Sequence, residues 1–116
     1  MARTRPPRKP LAWLHGQVKS PPFTPAGRIE AGQLLSRLQH GESLGLPHSR
    51  PLPALGLRVH ELRVRDAGHN WRIVYRTDPD AVLIVAVFAK TSEAVQRREF
   101  ENAVRRLARY DAAQEG

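Results

Sequence analysis

The sequence predicts an α+β fold, a small antiparallel-rich central sheet with one helix before it and one packed on it from the carboxy-terminal side. Three observations carry this. His60 to Lys90 (HELRVRDAGHNWRIVYRTDPDAVLIVAVFAK) contains two alternating apolar and polar segments and then an unbroken β-branched run, separated by turn sequences. Before that stretch, Ala31, Leu34, Leu35 and Leu38 fall at i, i+3, i+4 and i+7, one face of an amphipathic helix. After it, Phe100, Ala103, Val104 and Leu107 repeat the helical spacing.

Taken in order, residues 1–10 (MARTRPPRKP) are rich in Arg and Pro and hold little to bury, which predicts a basic flexible arm ahead of a single domain over residues 11–116. Leu11-Ala12-Trp13-Leu14 reads as a short first strand anchored by Trp13. The prolines at 21, 22 and 25 make Lys19 to Pro25 a loop. Thr24-Pro25 then opens the first helix, with threonine as N-cap and proline where its missing donor costs nothing. Gly41 closes that helix after about four turns. Glu42 to Gly56, broken by Gly and Pro, reads as a surface loop carrying His48 and Arg50; from there the two could reach a substrate, though an exposed linker position accounts for them more simply.

In the next segment Leu62 and Val64 alternate with Glu61, Arg63 and Arg65, and in the one after it Trp71, Ile73 and Tyr75 alternate with Arg72, Val74 and Arg76. That period of two belongs to half-buried strands. If Arg65 pairs with Asn70 across the Asp66-Ala67-Gly68-His69 turn, then Val64 faces Trp71, Leu62 faces Ile73 and His60 faces Tyr75. On the other side Arg63 faces Arg72 and Glu61 faces Val74. A one-residue slip would scatter the large apolar groups. This register sets two guanidiniums directly opposite each other, with Arg65 and Arg76 on the same face. Like charges so placed destabilise a sheet by several tenths of a kcal/mol, roughly. An anion is expected there, and replacing both arginines by Gln is expected to leave stability unchanged or slightly raised. Val82 to Phe88 does not alternate and predicts a strand covered on both faces, in the middle of the sheet. Ser92 to Tyr110 predicts the final helix, with Asp111 to Gly116 fraying.

The chain has 116 residues, 41% hydrophobic and 26% charged, the balance of one soluble globular domain. Nineteen Lys and Arg against eleven Asp and Glu give +8, which favours a polyanionic partner. There is no cysteine, so disulfide, thiolate-metal and thiol-nucleophile chemistry are excluded. The five histidines, at 15, 40, 48, 60 and 69, lack metal-ligand spacing, and no phosphate-cradling glycine loop or nucleophile elbow is present. No cofactor is expected. No apolar run approaches the roughly 20 residues of a membrane span, and the basic amino terminus carries no hydrophobic stretch, so a cytoplasmic protein is expected. The remaining chemistry belongs to Arg, Lys, His and Tyr, which suit stabilising a phosphoryl transition state and moving one proton. His69, at the hairpin tip, is the weaker candidate for a base.

KPLAWLHG, the leucine helix ending in glycine, the ELRVRDAGHNWRIVYR hairpin, the VFAK strand end and the arginine-rich last helix together resemble the RelE/HigB superfamily of toxins from type II toxin-antitoxin systems, its phage-derived HigB-like branch most closely. The likeness runs over residues 9–111. It implies a RelE-like fold, an mRNA interferase that cuts messenger RNA on the ribosome by 2′-hydroxyl attack, and a cognate antitoxin, often a helix-turn-helix protein. It also implies that Arg63 and Arg72 contact the scissile phosphate and that Lys90 acts beside them. From the residues themselves, Arg65 and Arg76 on the same hairpin face, with Arg97 and His69, are expected as further RNA contacts. Thr91 and Val95-Gln96 stand where that branch usually has a second basic residue and Thr-Pro, and only Tyr110 occupies the carboxy-terminal region where active members place a Tyr or His. The alternative is a binding protein without catalysis, either an RNA- or ribosome-associated factor or a ParE-like inhibitor of a protein target.

Overall fold

The computed structural model describes residues 8–20 and 22–115. Five strands, β1 (Leu11–Trp13), β2 (Ser49–Pro51), β3 (Val59–Asp66), β4 (His69–Thr77) and β5 (Val82–Ala89), form one sheet in the order β1-β5-β4-β3-β2. Two α-helices, α1 (Pro25–Gln39) and α2 (Glu93–Glu115), cover it. β1 runs parallel to β5 and every other pairing is antiparallel, so the sheet is mixed and the α+β expectation holds. Among the described residues no helix is long and apolar enough to cross a membrane.

The hairpin register is the one the alternation demanded, from Val59 opposite Arg76 to Asp66 opposite His69. Ala67 and Gly68 both take positive φ, 49° and 80°, the pair of left-handed residues that a two-residue turn needs if its twist is to match the flanking strands. Leu62, Val64, Trp71, Ile73 and Tyr75 therefore point to one side, where they bury Ala31, Leu34, Leu35 and Leu38 of α1. Each such large apolar side chain taken from water stabilises the fold by roughly 1.5–3 kcal/mol. Phe23, just ahead of α1, stacks on Trp71 at 4.3 Å between ring centroids.

β5 is an interior strand but not the middle one, because β1 lies outside it; β4 holds the centre. Its lack of alternation also has a local cause. Val74 pairs with Ala86 and Tyr75 with Ile84, leaving Val85 out of the ladder as a bulge. Ile84 thus joins the α1 core, while Val85, Ala86 and Phe88 join Ala103 and Leu107 of α2 on the opposite face. The Val85 carbonyl accepts from Nη1 of Arg106 at 2.9 Å.

Several expectations change. Residues 1–7 of the predicted arm lie outside the described residues. Lys9 and Pro10 are tied to the domain: Lys9 exchanges hydrogen bonds with Gln39 at 2.9 and 2.8 Å, and the Pro10 carbonyl accepts from Val82 N at 2.9 Å. Trp13 sits on the sheet edge, 42% exposed, and anchors nothing. The loop of residues 42–56 contains β2 and a 3₁₀ turn, Pro53–Leu55; a three-residue strand ending in proline has no period to read. α2 continues to Glu115 rather than fraying after Tyr110, because Asp111 is bound by Arg76.

The N-terminus of α1 is locked to the hairpin. Thr24 caps the helix by accepting from Gly27 N at 3.1 Å, and the Asp66 carboxylate accepts from Thr24 N at 2.8 Å and from its hydroxyl at 2.5 Å. Asp66 thus serves more than the turn. Those two bonds hold its pKa below the ordinary 3.8. A depressed carboxylate pKa contributes stability above the unfolded value and loses it as pH falls through the folded one, so Asp66→Asn is expected to flatten the acid limb of a melting-temperature profile below about pH 4.

Gly27 packs so closely that a Cβ would lie 2.3 Å from Asp66 Cγ, whereas Gly32, on the exposed side of the same helix, has nothing within 4 Å. Gly32→Ala should therefore stabilise by about 1 kcal/mol. Gly27→Ala should lower the melting temperature despite its better helix propensity. Thermal unfolding of the two variants side by side checks both signs.

Candidate nucleic-acid interface

Arg63 and Arg72 meet across a β3–β4 rung. The Arg63 N–H points away from β4 and donates to the His48 carbonyl at 2.8 Å, which makes the rung of the non-hydrogen-bonded kind. That is the closer of the two kinds, with Cα atoms about 4.5 Å apart. His48, Arg63, Arg65, Asn70 and Arg72, with Glu30 at the rim, line an open cleft of 410 Å³.

The anion expected beside the arginines is partly built in. Glu61, on the same face one step along β3, is fully buried, and neither carboxylate oxygen has a hydrogen-bond partner among the described residues. Arg50 Nη2 lies 3.1 Å from its Oε1 and Arg72 Nε 3.8 Å. Arg72 is itself only 7% exposed and its Nε has no hydrogen-bond partner. Burial pulls the Arg72 pKa down, Glu61 pulls it up, and Arg63 and Arg50 push it down again. Glu61 thus offsets the repulsion without using up the guanidinium fork. A phosphate entering the cleft would meet two opposed guanidiniums, one buried beside Glu61 and one half-buried, and the planar fork of Arg suits it.

The other expected residues do not all gather there. Asn70 accepts at its carbonyl from Lys90 N at 2.8 Å, which places Lys90 two residue pairs along from Arg72. Its ammonium lies 3.3 Å from Glu93 and outside the cleft lining. His69 is exposed at the tip, its ring 6.1 Å from that of Trp71. Arg97 lines a separate cleft with Leu55 and Phe100, between the 3₁₀ turn and α2. Arg76 is occupied: its guanidinium donates to both oxygens of Asp78 and both of Asp111, at 2.8 to 2.9 Å. Tyr75 is core as expected, its hydroxyl 2.6 Å from Ser49 Oγ and its ring stacked with His60.

The sequence predicts an exposed linker for His48 and Arg50, whereas β2 brings both to the arginine face. One signal for Arg50 was available, since a glutamate on a cationic strand face needs a facing cation, and Arg50 pairs opposite Glu61. Among the described residues no group of three His, Asp or Glu could hold a metal ion.

A family model described as phage derived protein Gp49-like (DUF891) matches residues 23–108. No curated protein and no solved structure matches the chain.

Proposed function

The chain belongs to the phage-derived Gp49-like family, and from that premise we propose that it is the toxin of a type II toxin-antitoxin pair, HigB-like, that cuts messenger RNA on the ribosome. The family's association with RelE-like toxins supports the class. One observation supports the chemistry: the opposed Arg63 and Arg72, with Arg72 buried and its Nε unpartnered, at an open cleft beside an imidazole. In this reading the message phosphate is braced by the two guanidiniums while the adjacent 2′-hydroxyl attacks it. Lys90, opposite Asn70 and two residue pairs along from Arg72, supplies a further charge from beside the cleft, and the protein contributes mostly position and electrostatics. A cognate antitoxin, of helix-turn-helix type, would cover the same cationic face. No cofactor takes part.

Naked RNA should bind through about four phosphate contacts, losing on the order of fiftyfold in affinity between 50 and 200 mM salt. Cutting should need the ribosome, which holds the message with its 2′-hydroxyl in line. Primer extension on translated and untranslated copies of one message tests this. Cleavage of the translated copy alone is expected. Equal cleavage of both would end the ribosome requirement, and cleavage of neither by a folded, RNA-binding protein would leave a binding factor.

A further inference from the structure

We infer that His48 is the base that takes the proton from the attacking 2′-hydroxyl; this rests on the message-cutting reading above. His48 lines the same cleft as Arg63 and Arg72, and its backbone is fixed on three sides. Its N–H donates to the Gly45 carbonyl at 3.1 Å, its carbonyl accepts from Arg63 N at 2.8 Å, and Ser49, the next residue, is buried with its hydroxyl on Tyr75. An exposed imidazole is thus carried on a rigid support beside the two phosphate-bracing groups, the arrangement general-base catalysis requires.

Glu30, on α1, is the other proton carrier in the cleft lining, at its rim; the remaining histidines, Tyr110 and Glu61 are placed otherwise. His60 stacks on Tyr75 on the α1 face, and His40 contacts the Ser36 carbonyl at 2.7 Å. His15 lines a hollow beside β1 with Trp13, and His69 stands at the hairpin tip outside the cleft lining. Tyr110 lies 6.0 Å from the guanidinium of Arg76, away from the cleft. Glu61 is within reach of Arg72 but has no exposed surface through which a substrate could be touched. The charged groups facing His48 are Arg63 and Arg65 from β3, Arg72 from β4 and Glu30 from α1.

The step balances without a cofactor. The neutral imidazole takes the 2′-hydroxyl proton, the 2′-oxygen bonds to phosphorus, and the bond from phosphorus to the 5′-oxygen breaks, leaving a 2′,3′-cyclic phosphate. The departing 5′-oxygen takes a proton from water, and the resulting hydroxide recovers it from the imidazolium.

Primer extension on a translated message, with RNA affinity measured by fluorescence anisotropy, tests the assignment in the full chain. His48→Ala is expected to lower the cleavage rate about a hundredfold while leaving RNA affinity within twofold, and added free imidazole should restore part of the rate. Wild type is expected to cut more slowly toward acid, where a base becomes protonated, and His48→Gln to lose that dependence. Cleavage by His48→Ala within threefold of wild type would overturn the inference and leave the toxin reading standing. A loss that imidazole does not relieve, with the acid limb kept in His48→Gln, would overturn it equally by making His48 a structural residue. Wild type that cuts neither message removes the reaction itself, and with it both readings.

Discussion

Arg72→Gln is expected to lower the cleavage rate by a hundred- to a thousandfold, the loss typical when one preorganised donor to a developing oxyanion is removed. It is also expected to destabilise the fold, which the like-charge rung alone would not suggest. Glu61 has no solvent to turn to, and without Arg72 it keeps only Arg50, whose side chain is 45% exposed. Leaving a buried carboxylate with one of its two counter-charges costs about 1–3 kcal/mol, or several degrees in melting temperature for a chain of this size. Adding Glu61→Gln should return most of that stability, since the orphaned charge is gone, and should return none of the activity. The two readouts separate what Arg72 does for the sheet from what it does for phosphate. An Arg72→Gln variant that melts like wild type would mean that Glu61 is served by Arg50 alone, and one that cuts within tenfold of wild type would remove Arg72 from the site.

Arg63 lacks that structural role. It faces Arg72 but forms no ion pair among the described residues, so Arg63→Gln should reduce cleavage with its melting temperature unchanged. The expectation that removing the pair costs no stability is therefore kept for Arg63 and replaced, for Arg72, by an expected loss. The difference comes from Glu61, whose position was legible but whose depth was not. Alternation puts Glu61 on the arginine face, and nothing in a period of two says that β2 will cover it.

The same distinction runs through the rest of the molecule. The β3–β4 register could be read to the residue because both strands have one apolar face and the turn is only two residues long, so a slip would carry a cost along the whole hairpin. The helix start at Thr24-Pro25 was legible because capping chemistry is local. Contacts between distant segments had no such signature. The bond from Asp66 to Thr24 spans 42 residues, the arrival of His48 beside Arg63 depends on a three-residue strand, and the bulge at Val85 shows only as a break in alternation that a doubly covered strand would show as well. The cleft was half legible for this reason. Its arginines lie on the hairpin, and its histidine comes from a segment with no period.

Arg76 gives the second large effect, with the opposite pattern. On the hairpin it shares a face with Arg63 and Arg72, and composition alone would assign it to RNA. Its side chain is only 11% exposed and is held by two carboxylates, Asp78 in the β4–β5 turn and Asp111 near the end of α2. Hydrogen bonding to Asp111 raises its pKa most, that to Asp78 next, and burial opposes both. Arg76→Gln is expected to destabilise by about 3 kcal/mol, the lower end of the range for breaking a buried pair because Asp111 is half exposed. That is about 10 °C in melting temperature, with the last turns of α2 losing amide protection first. RNA affinity of the folded variant should stay at the wild-type value, while Arg65→Gln should weaken binding without a change in melting. Acid titration adds a sign. Arg76 holds the Asp111 carboxyl below its ordinary value, so this contribution is present above about pH 4 and is lost as pH falls through the depressed pKa. Wild type should therefore converge toward Arg76→Gln at low pH. An Arg76→Gln variant that melts like wild type but binds RNA as weakly as Arg65→Gln would return this residue to the interface.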